Sequence, residues 1–205
     1  MLVVITILRF TGEGHIFFVQ ERIGLNSKKI RLIKFVTMLK NSPYIGTGTL
    51  TIKDDPRVLP FGKFLRKTKI NEIPQLFNIV FGDMSIIGPR PLTKRNFNMY
   101  SEHARKIISR VKPGLSGIGS IFFRNEEELI YDKSDPTSYY ADVLAPYKAD
   151  LEIWFVENKN LFLYFKCIIL TIVVLIKPSY KNFKFFFKDL PKPSTELSEE
   201  LSNLN

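Results

Sequence analysis

The chain has 205 residues, 24% charged and 45% hydrophobic, which suits one folded domain and excludes collagen-like, coiled-coil and wholly disordered classes. Thirty Lys and Arg face twenty Asp and Glu, a net charge of +10 that suits an anionic partner: nucleic acid, phospholipid head groups or a phosphorylated substrate. A single cysteine, Cys167, and two histidines, His15 and His103, exclude a disulfide framework and a Cys- or His-built zinc centre. Cys167 lies inside an apolar run and reads as a small buried hydrophobe.

In chain order, Met1 to Phe10 is apolar but far short of the roughly 20 residues that cross a bilayer, and it lacks the basic start and cleavage site of a signal peptide. His15 to Gln20 and Lys29 to Phe35 flank the turn-rich Gly24 to Lys28 and predict a hairpin. Asn41 to Pro60 is a loop, in which Gly46-Thr47-Gly48 is a turn, not a phosphate loop, because no Gly-Lys-Ser/Thr follows. Gly62 to Lys67 predicts a short helix. Asn71 is the expected N-cap of another running through Ile79, with Pro74 tolerated in its first turn and Gly82 closing it. Gly88-Pro89-Arg90-Pro91 is extended, Phe97 to Val111 helical, Pro113 to Gly119 a loop and Ser120 to Phe123 strand-like.

Ala141 to Ile176 is expected to be largely helical, broken near Pro146 and Asn158. Its last stretch, Leu161 to Ile176, carries Lys166, whose ammonium would cost ~2.5–3.5 kcal/mol in hydrocarbon, so a core or interface-lying helix is expected. Phe clusters at Leu161 to Phe165 and Phe183 to Phe187 favour membrane contact. From Lys188 onward the polar, Pro- and Ser-containing sequence predicts a disordered tail.

The chemistry-bearing stretch is Asp54 to Pro91, which places Arg57, Lys63, Arg66, Lys67, Lys69 and Arg90 around Glu72 and Asp83, between Gly/Pro loops. Cations beside carboxylates at element ends suit a diphosphate with a divalent metal: guanidinium groups clamp phosphate oxygens, and carboxylates hold Mg2+ through few contacts. No helix-turn-helix, zinc-finger or RNA-binding signature accompanies the basic charge, so nucleic acid is not the expected partner.

IFFVQERIG (Ile16 to Gly24), KFVTM (Lys34 to Met38), DDPRVLPFGKFLRKTKINEIPQLFNIVFGDMSIIGPRP (Asp54 to Pro91) and KPGLSGIGSI (Lys112 to Ile121) resemble, in order and spacing, the bacterial sugar transferases, the monotopic phosphoglycosyl transferases. The resemblance implies an α+β fold, mostly helical with a few short strands, in one monotopic membrane-associated domain at the cytoplasmic face of the bacterial inner membrane. Residues 1–12 then match only the returning half of a re-entrant membrane hairpin, 13–187 form the catalytic domain, and 188–205 the polar tail. It implies transfer of a sugar 1-phosphate from a UDP-sugar to undecaprenyl (polyprenyl) phosphate with release of UMP. That is the first membrane step of exopolysaccharide, capsule, O-antigen or glycoprotein glycan synthesis.

The same resemblance implies Mg2+, held by Glu72 and Asp83, and phosphate or nucleotide contacts from Arg66, Arg90, Arg57, Lys63, Pro89 and Lys112. Its nucleophile is the Asp of an Asp-Glu pair, where this chain has Asn71-Glu72. A neutral amide cannot attack phosphorus as a carboxylate does. The sequence therefore leaves three readings: Glu72 attacks, Asp83 attacks, or the chain binds nucleotide-sugar or polyprenyl phosphate without turnover. Val36 and Val19 stand where the family often has Arg, and His15 where it has Pro; His15 is a minor candidate base.

Overall fold

The computed structural model describes residues 1–11, 13–48, 50–124, 126–177 and 186–203. Helix α1 (Leu2–Phe10) leads into an antiparallel hairpin of β1 (Phe17–Ile23) and β2 (Lys29–Phe35), paired from Phe17↔Phe35 to Ile23↔Lys29. The alternation in KIRLIKF puts Ile30 and Leu32 on a buried face, as the period of 2 requires, and the hairpin lies where the sequence places it. Helix α2 (Pro60–Lys67) starts with Pro at its first position, where the missing N–H has no intrahelical partner to lose.

The next helix departs from expectation. A 3-10 turn, Ile70–Glu72, precedes α3 (Gln75–Val80), and Asn71 caps neither: the residue before the turn is Lys69 and the residue before α3 is Pro74. Pro74 splits the run because its ring cannot continue a helix that already began at Ile70. Asn78 of α3 clips the helix to β2, donating to the Arg31 carbonyl at 2.7 Å and accepting from the Ile33 N–H at 3.1 Å. Gly82 closes this region at φ +85°, as expected.

Strand β3 (Ser85–Ile87), helices α4 (Lys94–Asn98) and α5 (Glu102–Ile108), strand β4 (Gly114–Ser116) and helix α6 (Ile118–Phe122) follow. The helix expected over Phe97 to Val111 is thus two, because Ser101 caps α5 by accepting from the Ala104 N–H. The loop and strand expected over Pro113 to Phe123 are reversed: 114–116 pairs in parallel with β3, and 118–122 is helical. Glycine decides this, since a Cβ on Gly117 would lie 2.1 Å from the Gly88 carbonyl oxygen, so the two backbones meet only without side chains.

Helices α7 (Glu126–Leu129) and α8 (Pro136–Tyr139) lead through a π turn, Tyr140–Leu144, into α9 (Ala145–Asn158) and then α10 (Leu161–Ile176), capped by Asn160. The break expected at Pro146 takes the form of that π turn. Residues Thr195–Asn203 form α11 with Leu197 fully buried, so the expectation of disorder fails for this part of the tail. Leu197 every few residues with Leu201 gives the polar segment an apolar stripe that docks on the main core. Part of the Phe183 to Phe187 cluster lies outside the described residues.

The main core gathers α5, α6, α9 and α10; a smaller one joins Leu8 of α1, Phe35 of β2 and Leu65 of α2. The described residues are mostly helical with two two-stranded sheets, the α+β class expected. No described helix is long and apolar enough to cross a membrane. Helix α10 is nonetheless apolar on both sides: Leu163, Cys167, Leu170 and Val174 face the core while Phe162, Phe165, Ile169, Ile172 and Ile176 are exposed. Helix α3 likewise exposes Phe77, Val80 and Phe81.

Candidate active site

A cavity of about 1190 Å³ opens between the hairpin, α2, the Ile70–Glu72 turn, the Arg90 loop, α6 and the inner side of α10. Glu72, 15% exposed in its side chain, stands in it with Lys34 Nζ at 3.2 Å and Arg90 Nη2 at 3.6 Å. Burial pushes the Glu72 carboxyl up, but Lys34, Arg90 and Lys69 together outweigh it and hold the group at about 2. Burial in turn pulls the Lys34 ammonium down to about 8 against the opposing pull of Glu72. Glu72 is therefore ionised throughout the neutral range, inside a cage of cations.

Local conformation builds that cage. Lys69 adopts φ +59°, a left-handed conformation that costs a non-glycine residue about 1–2 kcal/mol, and it does so directly before the turn carrying Glu72. Lys34 shares the inward face of β2 with Ile30 and Leu32, opposite Phe18. On β1, Arg22 donates to the Pro91 carbonyl at 3.2 Å, and the Ile23 N–H donates to the Leu92 carbonyl at 2.9 Å, tying the hairpin to the loop that bears Arg90. Parallel pairing of β3 with β4 fixes the loop's other end.

The expected site residues divide. Glu72, Asn71, Arg66, Arg90 and Lys63 all line the cavity. Asn71 is buried with Oδ1 lacking a partner, so it presents an unused acceptor there. Arg66 pairs with Glu127 at the rim. Arg57, expected to hold phosphate, lies outside the cavity lining: it is buried, pairs with Asp55 (Nε to Oδ1, 2.8 Å) and donates to the Ser42, Ile45, Gly48 and Leu50 carbonyls. Its donors are consumed in holding the 41–50 loop, where Gly46 and Gly48 take positive φ.

Asp83 is also elsewhere, in the turn after α3, with the Asn78 side-chain amide donating to it at 3.4 Å. It does not line the cavity, and neither does Pro89, whose carbonyl accepts from the Gly114 N–H at 2.8 Å, nor Lys112, which is exposed near Gly82. Of the expected metal residues Glu72 lines the cavity and Asp83 does not, and no group of three His, Cys, Asp or Glu converges among the described residues. The donor set fits a cation cage for an anion better than a resident metal. Of the 112–120 loop, Ser116 and Ser120 do reach the cavity, and so does His15.

Residues missed by sequence reasoning are Lys34, Arg22 and Tyr140, all cavity-lining. Lys34 had a signal: a lysine at the third inward position of an alternating strand is out of place unless it meets an anion. Lys69 belongs to the cations expected from the Asp54 to Pro91 stretch, but the positive φ that sets where it stands has no signal in a lysine.

The bacterial sugar transferase family model matches residues 1–178. The chain belongs to the bacterial sugar transferase family. Among its relatives, the exopolysaccharide production protein ExoY of Sinorhizobium fredii is 35% identical over 139 residues, 61% of this chain and 61% of that protein. The UDP-glucose:undecaprenyl-phosphate glucose-1-phosphate transferase of Klebsiella pneumoniae is 38% identical over 125 residues, 59% of this chain but only 26% of its own length. The uncharacterized sugar transferase EpsL of Bacillus subtilis is 34% identical over 173 residues, 84% of this chain and 75% of EpsL. The chain thus spans about six tenths of the rhizobial protein and about a quarter of the Klebsiella enzyme.

Proposed function

We propose that this chain transfers a sugar 1-phosphate from a UDP-sugar to a polyprenyl phosphate, with Glu72 as the attacking carboxylate. The observation that carries the reading is the ionised Glu72 between Lys34, Lys69 and Arg90 in a cavity large enough for a nucleotide-sugar. A carboxylate approaches an anionic diphosphate only where cations offset the repulsion, and these three do so without reorganising. A Glu72 oxygen forms a bond to the sugar-bearing phosphorus while the bond from that phosphorus to the bridging oxygen breaks, and UMP leaves with the electron pair. The polyprenyl phosphate oxygen then attacks the same phosphorus, and the acyl phosphate bond breaks to restore the Glu72 carboxylate.

Arg90 and Arg66 neutralise the phosphate oxygens, and Ser116 and Ser120 offer hydroxyls to the sugar or uridine. Magnesium enters this reading only as an ion arriving with the diphosphate, since a small hard cation is commonly held by one or two carboxylates and substrate phosphates. The exposed apolar sides of α10 and α3 support docking on a lipid surface at the cytoplasmic face of the inner membrane, with Lys and Arg adding attraction to anionic head groups.

A second reading follows from Asn71: an amide at the attacking position beside a tightly paired Glu72 describes a chain that binds nucleotide-sugar without turnover. One assay separates the two. Detergent-purified protein is given Mg2+, undecaprenyl phosphate and a panel of UDP-sugars. UMP release that requires the lipid phosphate supports transfer and names the sugar; UDP-sugar binding without release supports the second reading.

A further inference from the structure

Outside the lining of the cavity, against the backbone of Arg90, lies a buried carboxylate that the transfer chemistry does not use. Glu152, on α9, is 3% exposed. Its Oε1 accepts from the Arg90 backbone N–H at 3.3 Å, while Oε2 has no hydrogen-bond partner among the described residues. The position is held open for it: a Cβ on Gly119 would lie 2.5 Å from Oε1, so α6 brings a glycine to the one place where a methyl group would displace the carboxylate. A buried unsatisfied carboxylate oxygen costs stability, and here it sits on the backbone of the arginine that faces Glu72.

We propose that Glu152 is a positioning residue: through the Arg90 backbone it sets where the Arg90 guanidinium stands relative to Glu72, and its charge state tunes how strongly Arg90 holds an anion. The inference rests on the cation-cage reading of the cavity and extends it to a residue outside it. With Glu152 ionised, part of the Arg90 field is compensated from outside the cavity lining; with Glu152 neutral, the whole field faces the cavity.

The surroundings agree. Burial pushes the Glu152 carboxyl up to about 7, against the Arg90 N–H bond and the charges of Lys148 and Arg90. Lys148, one turn earlier on α9, is itself paired with Glu126 of α7 at 2.8 Å. Cys167 of α10 and Tyr100, just before α5, also lie in its field: burial first and then Glu152 raises Cys167, and burial first, then Tyr140 and Glu152, raises Tyr100. Helix α5 buries Ala104, Ile107 and Ile108 together with the Arg105 Nε, and the residues that α6 buries, Ile118, Gly119, Ile121 and Phe122, carry no charge.

The test reads Arg90 directly and needs no turnover. In the detergent-solubilised full chain, the Arg90 backbone N–H and side-chain Nε–H resonances are followed by NMR from pH 5.5 to 8.5, and UDP affinity by calorimetry over the same range. The expected result is a step in both Arg90 resonances near neutral pH, with UDP affinity falling about tenfold as pH rises through it. Glu152→Gln keeps the Oε1 acceptor; it flattens the step and holds affinity at its low-pH level. Gly119→Ala, which leaves Glu152 in place but displaces its carboxylate, shifts the Arg90 N–H resonance at every pH.

An Arg90 titration that persists unchanged in Glu152→Gln overturns the proposal, because a merely structural carboxylate would alter stability and leave that titration alone. Loss of UMP release from the wild-type chain would instead count against the transfer reaction, and the Arg90 resonances would still decide the role of Glu152.

Discussion

Arg57 and Arg90 lie in the same loop-and-helix block, and each pairs with a buried carboxylate, yet the structure uses them oppositely. The Arg57 side chain is 6% exposed and every donor it has ends on Asp55, Thr47 or a backbone carbonyl of the 41–50 loop. The Arg90 side chain is 39% exposed, with its partner Glu72 at a loose 3.6 Å and a Ser120 hydroxyl at 3.5 Å. A guanidinium whose donors are consumed by its own chain is a structural clamp; one with unused donors facing a cavity is a ligand site. Residue type and neighbourhood in sequence do not separate the two, and donor satisfaction does.

The contrast breaks most readily at the carboxylates. Glu72→Gln is expected to lower UMP release at least about 1000-fold, and also to lower the melting temperature, because it removes the anion that Lys34 and Arg90 face. Turnover that survives would leave Glu72 with a structural role only. Next comes Arg57→Ala, which strands buried Asp55 and frees several carbonyls; denaturant unfolding should show a loss of about 3–5 kcal/mol. Arg90→Ala should do the reverse, costing about 100-fold in kcat/KM with little change in the unfolding midpoint. If the two variants behaved alike in both assays, the distinction drawn from donor satisfaction would fail.

The smallest effect is the pH dependence, and it has opposite signs for activity and stability. Burial lowers Lys34 from the ordinary lysine value to about 8, so between about 8 and 10.5 the unfolded chain binds more protons than the folded one, and Lys34 contributes a rise in stability with pH there. Turnover should fall over the same window as the Glu72 cage loses a cation. For Glu72, held at about 2 from a reference of 4.5, the contribution is present above 4.5 and lost as pH falls toward 2. Thermal melts and initial rates across pH 7 to 10 check the first sign; acid titration checks the second.

How far the sequence carried can be judged residue by residue. The β1–β2 hairpin follows from alternation around a turn and was legible, whereas α2, expected over Gly62 to Lys67, opens two residues earlier at Pro60, inside the stretch expected as a loop. The 114–122 stretch was not legible, because Ser120 to Phe123 looks strand-like until Gly88 and Gly117 are brought backbone to backbone. The polar tail misled through composition: Leu197 and Leu201 are few, and only a waiting groove makes them sufficient. Within the site, Glu72, Arg66 and Arg90 were recognisable from their motif, whereas Arg57 and Asp83 carried the same motif-level signal and sit outside the cavity.

By itself the sequence determined the family, the α+β class and the presence of a cation-rich carboxylate block, because those depend on residue order, spacing and composition. Only the tertiary structure decided which charges meet. Lys34 comes from a strand, Lys69 from a left-handed turn, Arg90 from a loop braced between β1 and α9, and Glu152 from a helix far along the chain. Their convergence depends on chain crossings and backbone contacts, and a protonation state set by burial and by neighbours distant in sequence cannot be read from either neighbour alone.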